Sequence, residues 1–459
     1  MRHPHTDVVE ALRAVVSEDA LVLDPDVWAT FSRDHSERPL PGTPLALVRA
    51  TDTADVQAVM RVASEHATPI VVRGAGSGLS GGSTAIDGCI LLALDRMREC
   101  RIDPAARVAH VQPGLLNVEV KAAAAEHGLA YPPDPASYEF CSIGGNVATN
   151  AGGLCCVKYG VTADYVLGMT VVLADGCALT LGGDRVKDSA GLSLTKLFVG
   201  SEGTLGVITE VVLRLVPAPA PPASLVATFP LVDAAVQAVV QISATLRPSM
   251  LEFMDRTTID AVEDMTKMGL DRTAGAMLVA QSDAPGAQAA TELEFIEAIC
   301  EQAGATEVFM TNDPADGEAF VAARRLAVPA VEKKGAILLE DAGVALPRLG
   351  ELVRGVEQIA GERGVVIALI AHAGDGNTHP MIVFDRADAE SFVRAQEAFD
   401  DIMALTISLG GTISGEHGIG RLKQPWLPRQ IGDGAMELTR TIKAALDPHG
   451  ILNPGVIVA

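Results

Sequence analysis

Residues 69–94 read PIVVRGAGSGLSGGSTAIDGCILLAL, and this stretch decides the fold. An apolar, strand-like run opens it, and Gly74, Gly76, Gly78, Gly81 and Gly82 follow at once. Glycine permits positive φ and close backbone approach, so successive N–H groups of such a loop can turn toward a pyrophosphate. A dinucleotide fingerprint of the G-x-G-x-x-G kind should continue into a helix. Here STAIDGCILLAL continues into a second strand, which argues against a nicotinamide site.

Two more glycine-rich segments follow. Residues 131–160, YPPDPASYEFCSIGGNVATNAGGLCCVKYG, are too polar and too rich in glycine to form a core element alone, so they should be ordered by something they wrap. Residues 199–216, VGSEGTLGVITEVVLRLV, again run from a glycine loop into a strand. Turns alone do not account for three such segments. From Leu45 to about Pro217 the chain alternates β-rich runs with short helices, the pattern of a mixed α+β domain. PAPAPPA (217–223) can propagate neither a helix nor a central strand and marks the best domain boundary. Beyond it, helical segments alternate with strand-like ones to about residue 410. Residues 1–40 carry helical periodicity in VVEALRAVV and read as an arm leading into the first core. The tail, from MELTRTIKAAL onward, reads as a helix stopped by proline and followed by a short extended end.

Composition narrows the function. With 459 residues, 48% of them apolar, the chain can bury a sizeable core in two or three domains. A formal charge of -23 repels nucleic acid and anionic lipid, so neither is an expected partner. The longest apolar run, Val365 to Ala371, is far short of the roughly 20 residues of a membrane span. The first residues show no secretory pattern, and the expected compartment is the cytoplasm. Seven cysteines without a C-x-x-C pair argue against disulfides and iron–sulfur ligation and read as reduced packing residues.

In VVIALIAHAGDGNTHPMIVFD an apolar run, a GDGN turn and a second apolar run follow one another, a β-hairpin pattern. His372 ends the first strand and His379 opens the second. Residues facing across antiparallel strands have Cβ atoms about 5 Å apart, close enough for two imidazoles to share an ion. Glu416 and His417 stand in the glycine-bordered loop GGTISGEHGIGR, and an extended backbone there would send their side chains in opposite directions. A surface ion pair is the bland alternative for these two. Two imidazoles plus a carboxylate form an open divalent-metal ligand set.

Taken together, the three glycine-rich segments resemble the flavin domain of FAD-linked oxidoreductases of the vanillyl-alcohol-oxidase type, over about residues 40–217. HAGDGNTHP (372–380) and SGEHGIGR (414–421) narrow the resemblance to the branch of the glycolate oxidase catalytic subunit, D-lactate dehydrogenase and D-2-hydroxyglutarate dehydrogenase. The fold this implies is α+β. It comprises a helical arm (1–40), a two-part FAD-binding domain (41–217), an α+β substrate or cap domain (218–410) and a C-terminal segment (411–459) that returns to the flavin and completes the active site.

The resemblance assigns the FAD pyrophosphate to the loop of Arg73, Gly74, Ala75, Gly76, Ser77, Gly78 and Leu79. It assigns the adenosine and flavin parts to Pro133, Ser142, Gly145, Asn146, Gly152 and Ile208. Many relatives join a histidine covalently to the flavin where Ser77 stands, so the FAD here should be bound non-covalently. His372, His379 and Glu416 are implied as ligands of a divalent metal, zinc or manganese by ligand type, and His417 as the base on the substrate hydroxyl. Arg324 is implied as the clamp on the substrate carboxylate, although Arg325 beside it could take that role, and an exposed helix arginine would explain either.

The implied activity is FAD-dependent, metal-assisted oxidation of a small D-2-hydroxy acid, D-lactate or glycolate before 2-hydroxyglutarate. Electrons would pass to a separate acceptor: an iron–sulfur subunit, an electron-transfer flavoprotein, a cytochrome or a quinone. A homodimer would suit such a chain. A metallohydrolase would leave the glycine-rich segments without a ligand, and a non-catalytic flavin-binding subunit would leave the metal set unexplained.

Overall fold

A computed structural model describes residues 4–458. The chain divides into two compact units, one made of residues 4–151, 161–218 and 416–458, the other of 152–160 and 219–415. It therefore passes between them after Ala151, Gly160, Ala218 and Gly415.

The first unit holds two sheets. In one, Ala46–Arg49, Ile90–Ala93 and Ile70–Arg73 run parallel, with Leu21–Val22 antiparallel at the edge. The helix Thr53–Glu65 is capped by the Asp52 side chain, which accepts the Asp55 N–H, and it buries Val56, Val59, Met60, Val62 and Ala63 against this sheet's core. Each of the three valines and the methionine contributes roughly 1.5–3 kcal/mol. The other sheet is antiparallel, in the order Cys100–Asp103, Val108–Val111, Val207–Arg214, Val166–Val172, Ala178–Gly182.

The amino-terminal helix Pro4–Val15 packs into the first core. Val8 and Leu12 are buried in the same core as the first sheet, because their spacing puts both on one helical face. Ile451 and Leu452 enter that core from the other end of the chain, and Ile70 bridges Leu452 in parallel.

The second unit is built on one antiparallel sheet. Its order is Glu307–Thr311, Ala223–Phe229, Ala276–Ser282, Met250–Asp255, Val366–His372, Asn377–Phe384, Ala336–Leu339, and Ala342–Gly343 also pairs with Asn377–Phe384. Sequence reading ended this domain near 410; the structure carries it to Gly415 because Gly343 and Thr412 exchange backbone hydrogen bonds.

Among the described residues no helix is long and apolar enough to cross a membrane. All seven cysteines are free thiols, but only Cys89, Cys141 and Cys300 are buried; Cys100 and Cys177 are exposed, so packing does not account for the whole set.

Candidate functional site

In the first unit the glycine loop leaves the strand Ile70–Arg73 and folds back over Arg73. Gly76 has φ +76°, and a β-carbon there would lie 2.0 Å from the Arg73 guanidinium, so only glycine fits. Arg73 itself is buried and donates to the carbonyl of Arg33 at 2.7 Å. Ser142 joins this loop to the second segment: its Oγ accepts the Ala75 N–H at 3.2 Å and the Gly145 N–H at 3.4 Å, capping the helix Ile143–Thr149. A β-carbon on Gly74 would collide with that same Oγ at 2.4 Å.

Asn146 is buried on this helix and takes a hydrogen bond from Asn117, whose amide also reaches the Pro133 carbonyl. Ile208 is buried in the strand Val207–Arg214. Arg73, Gly74, Ala75, Gly76, Ser77, Gly78, Leu79, Pro133, Ser142, Gly145, Asn146 and Ile208 thus all lie in one unit, whereas Gly152 begins the short excursion into the other.

The third segment supplies a residue that sequence reading passed over. Glu202 is buried at φ +50°, and its carboxylate accepts the backbone N–H groups of Ile419 and Gly420, both at 2.7 Å. Ser80 Oγ donates to the Gly418 carbonyl at 2.9 Å, and Arg421 donates to the carbonyls of Gly81 and Thr84. The C-terminal loop is therefore fastened onto the glycine loop within the first unit. An acid inside a glycine-rich turn was the available signal.

That loop carries Glu416 and His417. The backbone at both residues bends rather than extends, and their side chains approach to 3.9 Å instead of diverging. Both side chains are only 12% exposed, so a surface ion pair is excluded.

In the second unit the hairpin forms as expected, with a different register. His372 pairs with Asn377 and His379 with Ile370, so the two histidines are diagonal neighbours and not direct partners. The turn residues between His372 and Asn377 set this two-residue offset, which keeps both rings on one face. The rings are buried with centroids 5.0 Å apart, and a ligand nitrogen of each lies within 4.8 Å of the other.

Each ring is held from behind. His372 Nδ1 is 2.8 Å from Glu252 Oε1, and His379 Nδ1 is 3.3 Å from the Glu340 carbonyl. Arg324 lies in the last turn of the helix Pro314–Arg325 and is buried, with a guanidinium nitrogen 2.8 Å from Glu252 Oε2, so it is not an exposed helix arginine. Arg325, about 100° further round the helix, is half-buried.

Asp341 is fully buried and accepts from Asn377 and Ser414, each at 3.0 Å. Three fully buried acids, Glu252, Glu340 and Asp341, stand in this region with Arg324. Buried carboxylates are costly unless paired or coordinated, so such a group suits a cation. The signal for them was an acid inside an otherwise apolar run, in MLEFMD and AILLED.

Comparison with known proteins places these features in a family. Residues 44–182 match the FAD binding domain model, and residues 218–457 match the model for FAD linked oxidases, C-terminal domain. The chain is 40% identical to the glycolate oxidase subunit GlcD of Bacillus subtilis, over 91% of this chain and 89% of that one. It is 34% identical to the D-lactate dehydrogenase of Archaeoglobus fulgidus, over 90% and 91%. The crystal structure of p-cresol methylhydroxylase with substrate bound shares the fold, with a TM-score of 0.84 at 19% identity over 100% of this chain and 98% of that one. The fold is thus the two-domain FAD-binding architecture of the vanillyl-alcohol-oxidase type, and the chain belongs to the FAD-linked oxidases.

Proposed function

We propose that this FAD-dependent enzyme oxidises a small D-2-hydroxy acid, D-lactate or glycolate, to the 2-oxo acid with the help of a divalent metal. The observation that carries the reading is the buried pair His372 and His379, each with Nδ1 occupied by an oxygen acceptor. With Nδ1 facing an oxygen acceptor, Nε2 is the nitrogen that each ring would offer to an ion. Glu416 is the third ligand in this reading; the residue before it, Gly415, lies against the Asn377 side chain of the same hairpin. Two imidazoles, a carboxylate and an open position fit zinc or manganese.

When bound, FAD supplies the hydride acceptor at N5, and the metal supplies a Lewis acid that lowers the pKa of the substrate hydroxyl. The chain's own residues do the rest. The loop Arg73 to Leu79, with Ser142, Gly145 and Asn146, would hold the cofactor, joined by Pro133, Gly152 and Ile208. Arg324 would orient the substrate carboxylate, a task suited to a planar guanidinium. An imidazole nitrogen of His417 would take the hydroxyl proton as C2 gives up its hydride.

The names of the relatives support a hydroxy-acid substrate, since they are a glycolate oxidase subunit and D-lactate dehydrogenases. Anaerobic mixing with glycolate, D-lactate, L-lactate and 2-hydroxyglutarate tests this. Glycolate or D-lactate should bleach the flavin faster than L-lactate; faster bleaching by L-lactate overturns the stereochemistry, and a strong preference for 2-hydroxyglutarate moves the enzyme to diacids.

A further inference from the structure

The strand Met250–Asp255 lies beside Val366–His372, with Phe253 opposite Ala371. One step along, this register sets Glu252 against His372, two residues 120 positions apart in sequence. Glu252 is fully buried in the middle of the sheet. Its Oε1 is 2.8 Å and its Oε2 3.1 Å from His372 Nδ1, while Oε2 is also 2.8 Å from the Arg324 guanidinium.

A carboxylate only accepts, so the proton of a neutral His372 ring sits on Nδ1 and the lone pair is left on Nε2. Pairing with Arg324 offsets the cost of burying the charge. A glutamine here would keep the shape but lose the charge, and its amide cannot satisfy both neighbours as an acceptor.

We propose that Glu252 is a positioning residue that fixes the tautomer and orientation of His372 for metal binding while holding Arg324 by the same carboxylate. The inference rests on the reading of His372 and His379 as metal ligands. Partners of this kind behind a ligating histidine typically contribute 10–100-fold to metal affinity.

The test uses the full chain with FAD retained and its metal stripped, titrated with Zn(II) against a competing chelator, and separately with Co(II) to record its visible bands. Glu252→Gln should bind Zn(II) about 10–100-fold more weakly and shift the Co(II) bands, with FAD content unchanged. Wild-type Zn(II) affinity in Glu252→Gln, with affinity lost in His372→Ala, overturns the role of Glu252 and leaves the metal reading standing. Wild-type affinity in His372→Ala overturns the metal reading itself. Should Glu252→Gln fail to hold FAD, Glu252→Asp takes its place; it keeps the charge for Arg324 but retracts the carboxylate by one methylene. It too should lose Zn(II) affinity, and an unchanged value overturns the proposal.

Discussion

Glu202 accepts the backbone N–H of Gly420 through a carboxylate oxygen 2.7 Å away, across 218 residues of sequence. Its other oxygen accepts from Ile419, so the acid holds the turn that follows Glu416 and His417. Burial pushes its carboxyl up to about 7, against the opposing pull of these two N–H groups and of the charges on Lys423 and Arg421.

A raised carboxyl pKa means that the folded protein binds this proton more tightly than the unfolded chain does. By linkage, this group's contribution to stability is greatest below about pH 4.5, falls as pH rises toward about 7, and is level above. The full span is on the order of 3 kcal/mol. Measured from about pH 5 to 8, the melting temperature of wild type relative to Glu202→Gln should fall up to about pH 7 and then flatten. A difference that stays constant with pH would show that Glu202 does not titrate there.

Gly420→Ala should be far worse than Gly432→Ala, although both glycines have positive φ. At Gly432 a β-carbon meets nothing within 4 Å, so the cost is backbone strain alone, about 1–3 kcal/mol at φ 79° and ψ 164°. At Gly420 it would sit 1.9 Å from the Ser80 carbonyl oxygen, which cannot move without disturbing the glycine loop. Substrate-driven flavin reduction should drop at least tenfold in the first variant and hold in the second. Equal rates in the two would detach this turn from function.

Acid precipitation should release all of the flavin into the supernatant. Serine at position 77 has no imidazole nitrogen with which to join the isoalloxazine ring, and the loop around it offers no histidine. Flavin colour left in a washed pellet would contradict this.

Replacing His417 by alanine should slow flavin reduction by roughly two to four orders of magnitude, the usual scale for losing a general base. FAD and metal contents should stay at wild-type levels. Reduction at the wild-type rate would place the base on another residue.

The chain has no C-x-x-C and no nicotinamide fingerprint, so electrons from reduced flavin should need a separate acceptor. Turnover with a dye such as dichlorophenolindophenol should be fast, NAD should not be reduced, and peroxide should form much more slowly. Oxygen uptake matching dye reduction, with one substrate in parallel assays, would make the protein an oxidase without a partner.

Local features were legible in the sequence because their causes are local. The glycine loop after Ile70–Arg73 and the hairpin around GDGN follow from turn chemistry and alternation, and the helix Pro4–Val15 follows from its apolar spacing. Resemblance of motifs added the flavin fold, which the family matches bear out. The sequence could not show that His372 pairs with Asn377 and not with His379, because the length of a tight turn decides register after the strands have been recognised. Nor could it place Glu252 behind His372 or Glu202 beneath Gly420. Strand order sets the first meeting and the return of the C-terminal segment sets the second, and both are long-range pairings that no periodicity encodes. Burial then changes what these acids are: in the chain they are ordinary charges, and only inside the folded protein must each be matched by an N–H, a guanidinium or an imidazole.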